Sequence, residues 1–174
     1  MKYTPDGEKA RQDALNRLQL LDTPEEQAYD DITRLAAHVC GTPIALISLT
    51  DGDRQWFKSR VGLQVRDAPR ESSFCSHALI SPQEVMIVQD ATKDHRFATH
   101  PLVTGAPFFR FYAGAPLLTL NGHAIGTICV IDTKPRVLDP QQLETLQFMS
   151  RQVMVMLESR AAALQKSGIG EGQG

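Results

Sequence analysis

Apolar positions near the N-terminus recur every three or four residues. Ala10, Ala14, Leu15, Leu18 and Leu21 form one stripe, and Glu8, Arg11, Asp13 and Arg17 fall outside it. The spacing predicts a helix over 7–21 with those four charges in water. A second stripe, Tyr29, Ile32, Leu35, Ala36 and Val39, predicts another helix. Thr23 suits its N-cap, Pro24 its first position and Glu26 a capping box, while Gly41 fits the left-handed position after its end.

At Pro43 the period changes. "IALISLTD" is apolar on both faces and predicts a central strand covered on each side. The turn "DGD" leads into "RQWFKSRVG", its antiparallel partner, where Trp56 and Phe57 fall on opposite faces. The loop "LQVRDAPRES" comes next, then a short helical segment with Ser72 and Ser73 as N-cap residues. "EVMIVQD" predicts a short strand, and a polar crossover covers 91–107. "FFRFYAGAPLLTL" and "HAIGTICVID" predict two strands joined by a hairpin at Asn121–Gly122.

Asp139 and Pro140 open a long helix reaching about Lys166, with Leu143, Leu146, Met149, Val153, Met156, Leu157, Ala161 and Leu164 at helical spacing. About 25 residues at 1.5 Å each span nearly 40 Å, more than a small sheet covers. The element is either one long core helix or, as expected here, a helix whose C-terminal half pairs with a second copy. The tail "SGIGEGQG" is expected to be disordered. The order of elements predicts an α+β fold: a central antiparallel sheet with the N- and C-terminal helices on one face. Loops and short helices, 62–80 and 91–107, cover the other, an arrangement that commonly encloses a small-molecule pocket.

Composition narrows the function classes. A chain of 174 residues, 42% hydrophobic and 22% charged, suits one soluble domain. The net charge is −2 and the basic residues are scattered, so no nucleic-acid or anionic-membrane footprint is visible. The polar start "MKYTPDGEKARQD" is not a signal peptide, and no apolar run approaches the ~20 residues of a membrane span. Three widely spaced cysteines, Cys40, Cys75 and Cys129, argue against a disulfide framework and for a reducing compartment, so the expected location is cytoplasmic.

"LLDTPEEQAYDDITRLAA", "IALISLTDGDRQWFKSRVGL", "APRESSFCSHAL", "DATKDHRFATHPLV", "RFYAGAPL" and "GTICVID" together resemble the GAF domain, a small-ligand sensory module related in shape to PAS domains. The likeness runs from about Leu20 to Arg160, with 1–19 an N-terminal helix and 161–174 the helix end and tail. It is closest to the GAF domains that precede histidine kinases and diguanylate cyclases. Two departures stand out: His100 precedes Pro101 where the family usually has Asn, and "DAPR" replaces "ETPR". The resemblance implies a sensory role with a ligand or cofactor of unknown identity, a homodimer, and a possible downstream kinase or cyclase module. The Asn-Lys…Phe…Asp-Glu signature of cyclic-nucleotide-binding members is missing. No output module follows Arg160, so the chain either works alone or is cut from a longer one.

Two chemistries compete for Cys75 and His77. Positions two apart on a helix point about 200° apart, so a thiol–imidazole dyad or a shared metal is disfavoured. One of the two is expected to line the pocket and the other to pack locally. Family members that reduce free methionine sulfoxide use pocket cysteines, which makes a thiol-dependent reductase using Cys75 or Cys129 the enzyme alternative; a dimerisation module with a closed pocket is the third reading. His38, His77, His95, His100 and His123 lack metal-site spacing. Arg110 and Tyr112 are expected to share one face, with Phe109 and Phe111 on the other, and Gly114 to leave room for a ligand or another backbone. Arg110 either forks an anionic ligand group or pairs with Asp90 or Asp94. The expected ligand-binding set is Phe74, Cys75, His77, Asp94, Phe97, Arg110, Tyr112 and Cys129, with no catalytic residue or metal ligand assigned.

Overall fold

The structure is a computed structural model that describes residues 4–170, with side chains to residue 168. Its helices are α1 (Pro5–Arg17), α2 (Gln27–Cys40), α3 (Phe74–Ala78), α4 (Pro101–Thr104) and α5 (Pro140–Gly170). The strands are β1 (Ile44–Asp51), β2 (Arg54–Val61), β3 (Asp67–Pro69), β4 (Met86–Val88), β5 (Phe111–Leu118) and β6 (Ala124–Asp132). They form one six-stranded sheet in the order β3-β2-β1-β6-β5-β4, every pair antiparallel. β1 is paired on both edges and buried on both faces, which is why its sequence shows no alternation.

Strand alternation divides the core in two. Ala45, Ile47 and Leu49 of β1, Phe111 and Ala113 of β5, and Ile128 and Val130 of β6 face the helices α1, α2 and α5. Leu46, Tyr112, Cys129 and Ile131 face the other way, toward α3, α4 and the crossover. Trp56 joins the helix-side core and Phe57 the opposite one, so only Phe57 faces the second layer.

Several boundaries differ from expectation. α1 starts two residues earlier, at Pro5, because Thr4 caps it by accepting from the Gly7 amide at 3.1 Å, and it stops at Arg17. Arg11 is fully buried rather than solvated; it donates to the Thr50 carbonyl and pairs with Glu8. α2 starts at Gln27, and no side chain caps it. Thr23, Pro24 and Glu26 instead accept from the buried Lys58 ammonium at 2.9, 2.7 and 2.5 Å. The capping groups are committed to a buried charge on β2. Leu35, expected inward, is 48% exposed, and its place on the buried face is taken by Thr33 and Ala37.

β3 was not foreseen: three residues of the expected loop pair with β2 at the sheet edge. Phe109 lies in the same core as Tyr112, not on the opposite side, because regular strand geometry begins only at Phe111. Gly41 takes the left-handed conformation after α2 (φ 64°), as expected. Asp139 and Gln142 exchange side-chain-to-amide bonds at the start of α5. The helix continues through 167–170, the first half of the stretch expected to be disordered; 171–174 lie outside the described residues.

Candidate ligand-binding site

Ser73 accepts from the Cys75 amide at 3.1 Å and opens α3, a single helical turn laid on the sheet. This fixes Phe74 and Cys75 inward. Phe74 is the hub of an aromatic group: it stacks on Phe97 at 4.2 Å and on Tyr112 at 5.6 Å, with His100 at 5.0 Å. Beside it lies a cavity of about 210 Å³. The sheet contributes Leu46, Phe57, Tyr112 and Ile131 to its floor. Leu63, Val65 and Ala68 close one side, Phe74 and Cys75 another, and Leu102, Pro107 and Phe109 the third. No lysine, arginine, histidine or acidic side chain lines it.

Cys75 and Cys129 meet across the layer, with their sulfurs 3.8 Å apart. The strand register explains why Cys129 is reachable. It stands between Leu46 of β1 and Gly114 of β5. A Cβ on Gly114 would lie 2.2 Å from the Tyr112 hydroxyl oxygen. Gly114 therefore makes room for the Tyr112 phenol, rather than for a ligand or another backbone. The Tyr112 and Thr127 hydroxyls are buried without a hydrogen-bond partner of their own. The Cys129 thiol, followed by the Thr127, Tyr112 and Ser48 hydroxyls, lowers the pKa of Cys75 against the opposing effect of burial. Burial pushes Tyr112 up instead, so it remains a phenol and a donor.

The remaining expected site residues scatter. His77 turns away from Cys75 and packs edge-on against Phe97 at 4.8 Å, so the two form no dyad. It borders a separate surface hollow with Arg96. Phe97 is fully buried and reaches the cavity only through Phe74. Asp94 accepts from its own loop, from Arg96 Nη2 at 2.7 Å and from the Arg96 amide at 3.0 Å. Arg110 donates to the carbonyls of Val103 and Phe109, at 2.9 and 3.0 Å, so its guanidinium ties the crossover to the sheet. It forms neither the expected pair with Asp90 or Asp94 nor part of the cavity lining. His100 caps α4 by accepting from the Leu102 amide through Nδ1. Burial and the nearby His77 hold its pKa below the ordinary value.

Sequence reasoning missed Thr127 and Ser48. Both fall in phase with Cys129 across β6 and β1, so strand alternation alone could have found them. Among the described residues, no three histidine, cysteine or acidic side chains cluster as a metal site. No helix among them is long and apolar enough to cross a membrane.

The antiparallel sheet thus carries helices on one face and an apolar cavity under short segments on the other. The GAF domain family model matches residues 24–157, and the chain belongs to the GAF family. A curated relative, the cyclic di-GMP phosphodiesterase PA2567 of Pseudomonas aeruginosa, is 41% identical over 156 residues. The match takes in 89% of this chain but 26% of that protein, so the chain spans about a quarter of the relative's length. Among solved structures, the GAF domain of an Acinetobacter phosphoenolpyruvate-protein phosphotransferase superposes with a TM-score of 0.65 at 17% identity, covering 86% of this chain and 95% of that one. The free methionine-R-sulfoxide reductase of Neisseria meningitidis gives a TM-score of 0.60 at 14% identity, covering 96% of each chain. These two likenesses show the fold.

Proposed function

We propose that this GAF domain senses a small, uncharged, largely apolar molecule and passes occupancy of its cavity to α5. The observation that carries the reading is a cavity walled almost wholly by hydrocarbon and aromatic rings, with Ser72, Ser73 and Cys75 beside them and no cationic group to meet a phosphate or carboxylate. β5 links the two layers: Tyr112 faces the cavity while Phe111, Ala113 and Ala115 lie in the helix-side core beneath α5. A ligand would order the crossover 91–107 through Leu102 and Pro107, and would change the setting of α5 only if it bound the two settings with different affinity. By likeness to the phosphodiesterase relative, the recipient of that change is an output module of a signalling protein. The length of α5 and its exposed Phe148 and Val155 support a homodimer paired through that helix. The thiol-reductase reading is weaker, because a zwitterionic amino-acid sulfoxide would find no counter-charge in this cavity.

Native mass spectrometry of freshly purified protein tests the reading, with benzene and indole as added probes. The expected result is a retained adduct or probe binding that Ala68→Phe, which fills the cavity, abolishes. A bare protein that binds neither probe would overturn it.

A further inference from the structure

We propose that Cys75 and Cys129 are a hydroperoxide-reactive dithiol, with Cys75 the sulfur attacked first and Cys129 the one that closes a disulfide. The argument starts from position. The two sulfurs are 3.8 Å apart, on α3 and β6, and both thiols are free. Cys129 is fully enclosed, whereas Cys75 lines the cavity, so a small oxidant entering there meets Cys75 and not its partner.

The surroundings point the same way. Buried cysteines usually act as small hydrophobes, and Cys40 fits that description: it sits in the helix-side core, and burial pushes its pKa up to about 11. Cys75 sits among hydroxyls instead. The Tyr112 and Thr127 hydroxyls are buried with no hydrogen-bond partner, Tyr112 lines the same cavity as Cys75, and Gly114 is the space that lets its phenol lie there. Hydroxyl donors around a sulfur stabilise its thiolate, the form that attacks peroxide.

The chemistry balances with an alkyl or hydrogen peroxide as the two-electron oxidant. The Cys75 thiolate attacks one peroxide oxygen, the O–O bond breaks, and Cys75 becomes a sulfenic acid as alkoxide or hydroxide departs and takes up a proton. The Cys129 sulfur then attacks the Cys75 sulfur, the S–O bond breaks, and the Cys129 proton leaves with the hydroxyl as water. Two thiols and one hydroperoxide thus give one disulfide, one alcohol or water, and one water. The sulfurs must close to about 2.05 Å. α3 is one turn between loops and carries Phe74, so this closure moves the cavity's aromatic wall. Oxidation would thereby change what the cavity holds, an input distinct from ligand binding.

The test treats the full chain with one equivalent of hydrogen peroxide or cumene hydroperoxide, then alkylates and maps peptides without reduction. The expected result is a mass loss of about 2 Da, a Cys75–Cys129 cross-link, and a Cys40 that remains fully alkylated. In Cys129→Ser, dimedone should label Cys75; in Cys75→Ser, loss of the remaining thiols should slow at least about tenfold. Oxidation of Cys40 at a rate equal to that of Cys75, or no cross-link in the wild-type chain, would overturn the proposal. Neither result depends on a bound ligand, so failure here is separable from failure of the sensory reading.

Discussion

Arg11 is charged, fully buried, and joined at once to Glu8, to the Thr50 carbonyl and to the Gln12 side chain. Glu8 also receives Arg70, so one carboxylate serves two guanidinium groups from distant parts of the chain. The Arg11 hydrogen bond, with help from Arg70 and against burial, lowers the Glu8 pKa from 4.5 to about 2. A carboxylate depressed in the folded state stabilises the protein above its unfolded pKa and loses that contribution as pH falls through the folded one. Acid unfolding should therefore show a stability loss between about pH 4.5 and 2 that Glu8→Gln flattens, followed by circular dichroism in urea. Arg11→Ala should cost about 3 kcal/mol, the low end for breaking a buried pair, because Glu8 keeps Arg70. At Gly114 the argument is steric. Gly114→Ala places a methyl against the rigid Tyr112 ring, so it should cost about 1–3 kcal/mol and turn the phenol out of its place. Near-ultraviolet circular dichroism reads the second effect, and an unchanged spectrum would remove Gly114 from the account of the site.

At the scale of elements, α5 is the one with more surface than its own core uses. Its 31 residues span about 46 Å. Leu146, Met149, Val153, Leu157 and Ala161 bury one face against the sheet, while Phe148, Val155 and Leu164 are 55%, 58% and 39% exposed. Phe148 and Val155 are seven residues apart and so share a face, the spacing a paired helix uses. Phe148→Glu with Val155→Glu should convert a dimer to a monomer in light scattering without changing the melting temperature much. A dimer that survives would move the interface off this face. Met156 would be a poor choice for the same test, because it packs against the helix-side core. α2 shows the converse case: its exposed Leu35 has no large apolar neighbour at heptad spacing on the same face, since position 28 is only Ala and position 42 lies beyond the helix.

Across the whole molecule, the sheet is the shared wall between a cavity and a helical layer. A coupling mechanism requires that filling one side be felt on the other. Saturating benzene should slow amide exchange over 91–107 and also in the C-terminal half of α5. Slowing confined to 91–107 would leave ligand binding intact and remove the coupling to α5. The architecture was legible in the chain, because the helical period is strong in α2 and the unbroken apolar runs of β1 and β6 mark strands buried on both faces; the family was legible through motif resemblance. The site was legible in part. Phe74, Cys75 and Tyr112 line the cavity, since each sits on an element whose phase the sequence reveals. Arg110 and Asp94 went elsewhere, because a charged side chain takes the nearest carbonyl or guanidinium, and nearness in space is not written in local spacing.

The sequence by itself determined the order of the main elements other than β3, which strand is central, the hairpin at Asn121–Gly122 and the inward phase of Cys129, all consequences of local periodicity and turn chemistry. Only the tertiary structure decided that Lys58 takes the groups that would have capped α2, that Arg11 is buried, that Gly114 serves Tyr112, and that Cys75 meets Cys129. Three of those depend on strand register or on a layer folding over and bring together residues 32 to 54 positions apart; in the fourth, the buried course of the Tyr112 side chain back over its own strand is what packing decides. Contacts at that separation are set by the packing of whole elements, and no window of neighbouring residues encodes them.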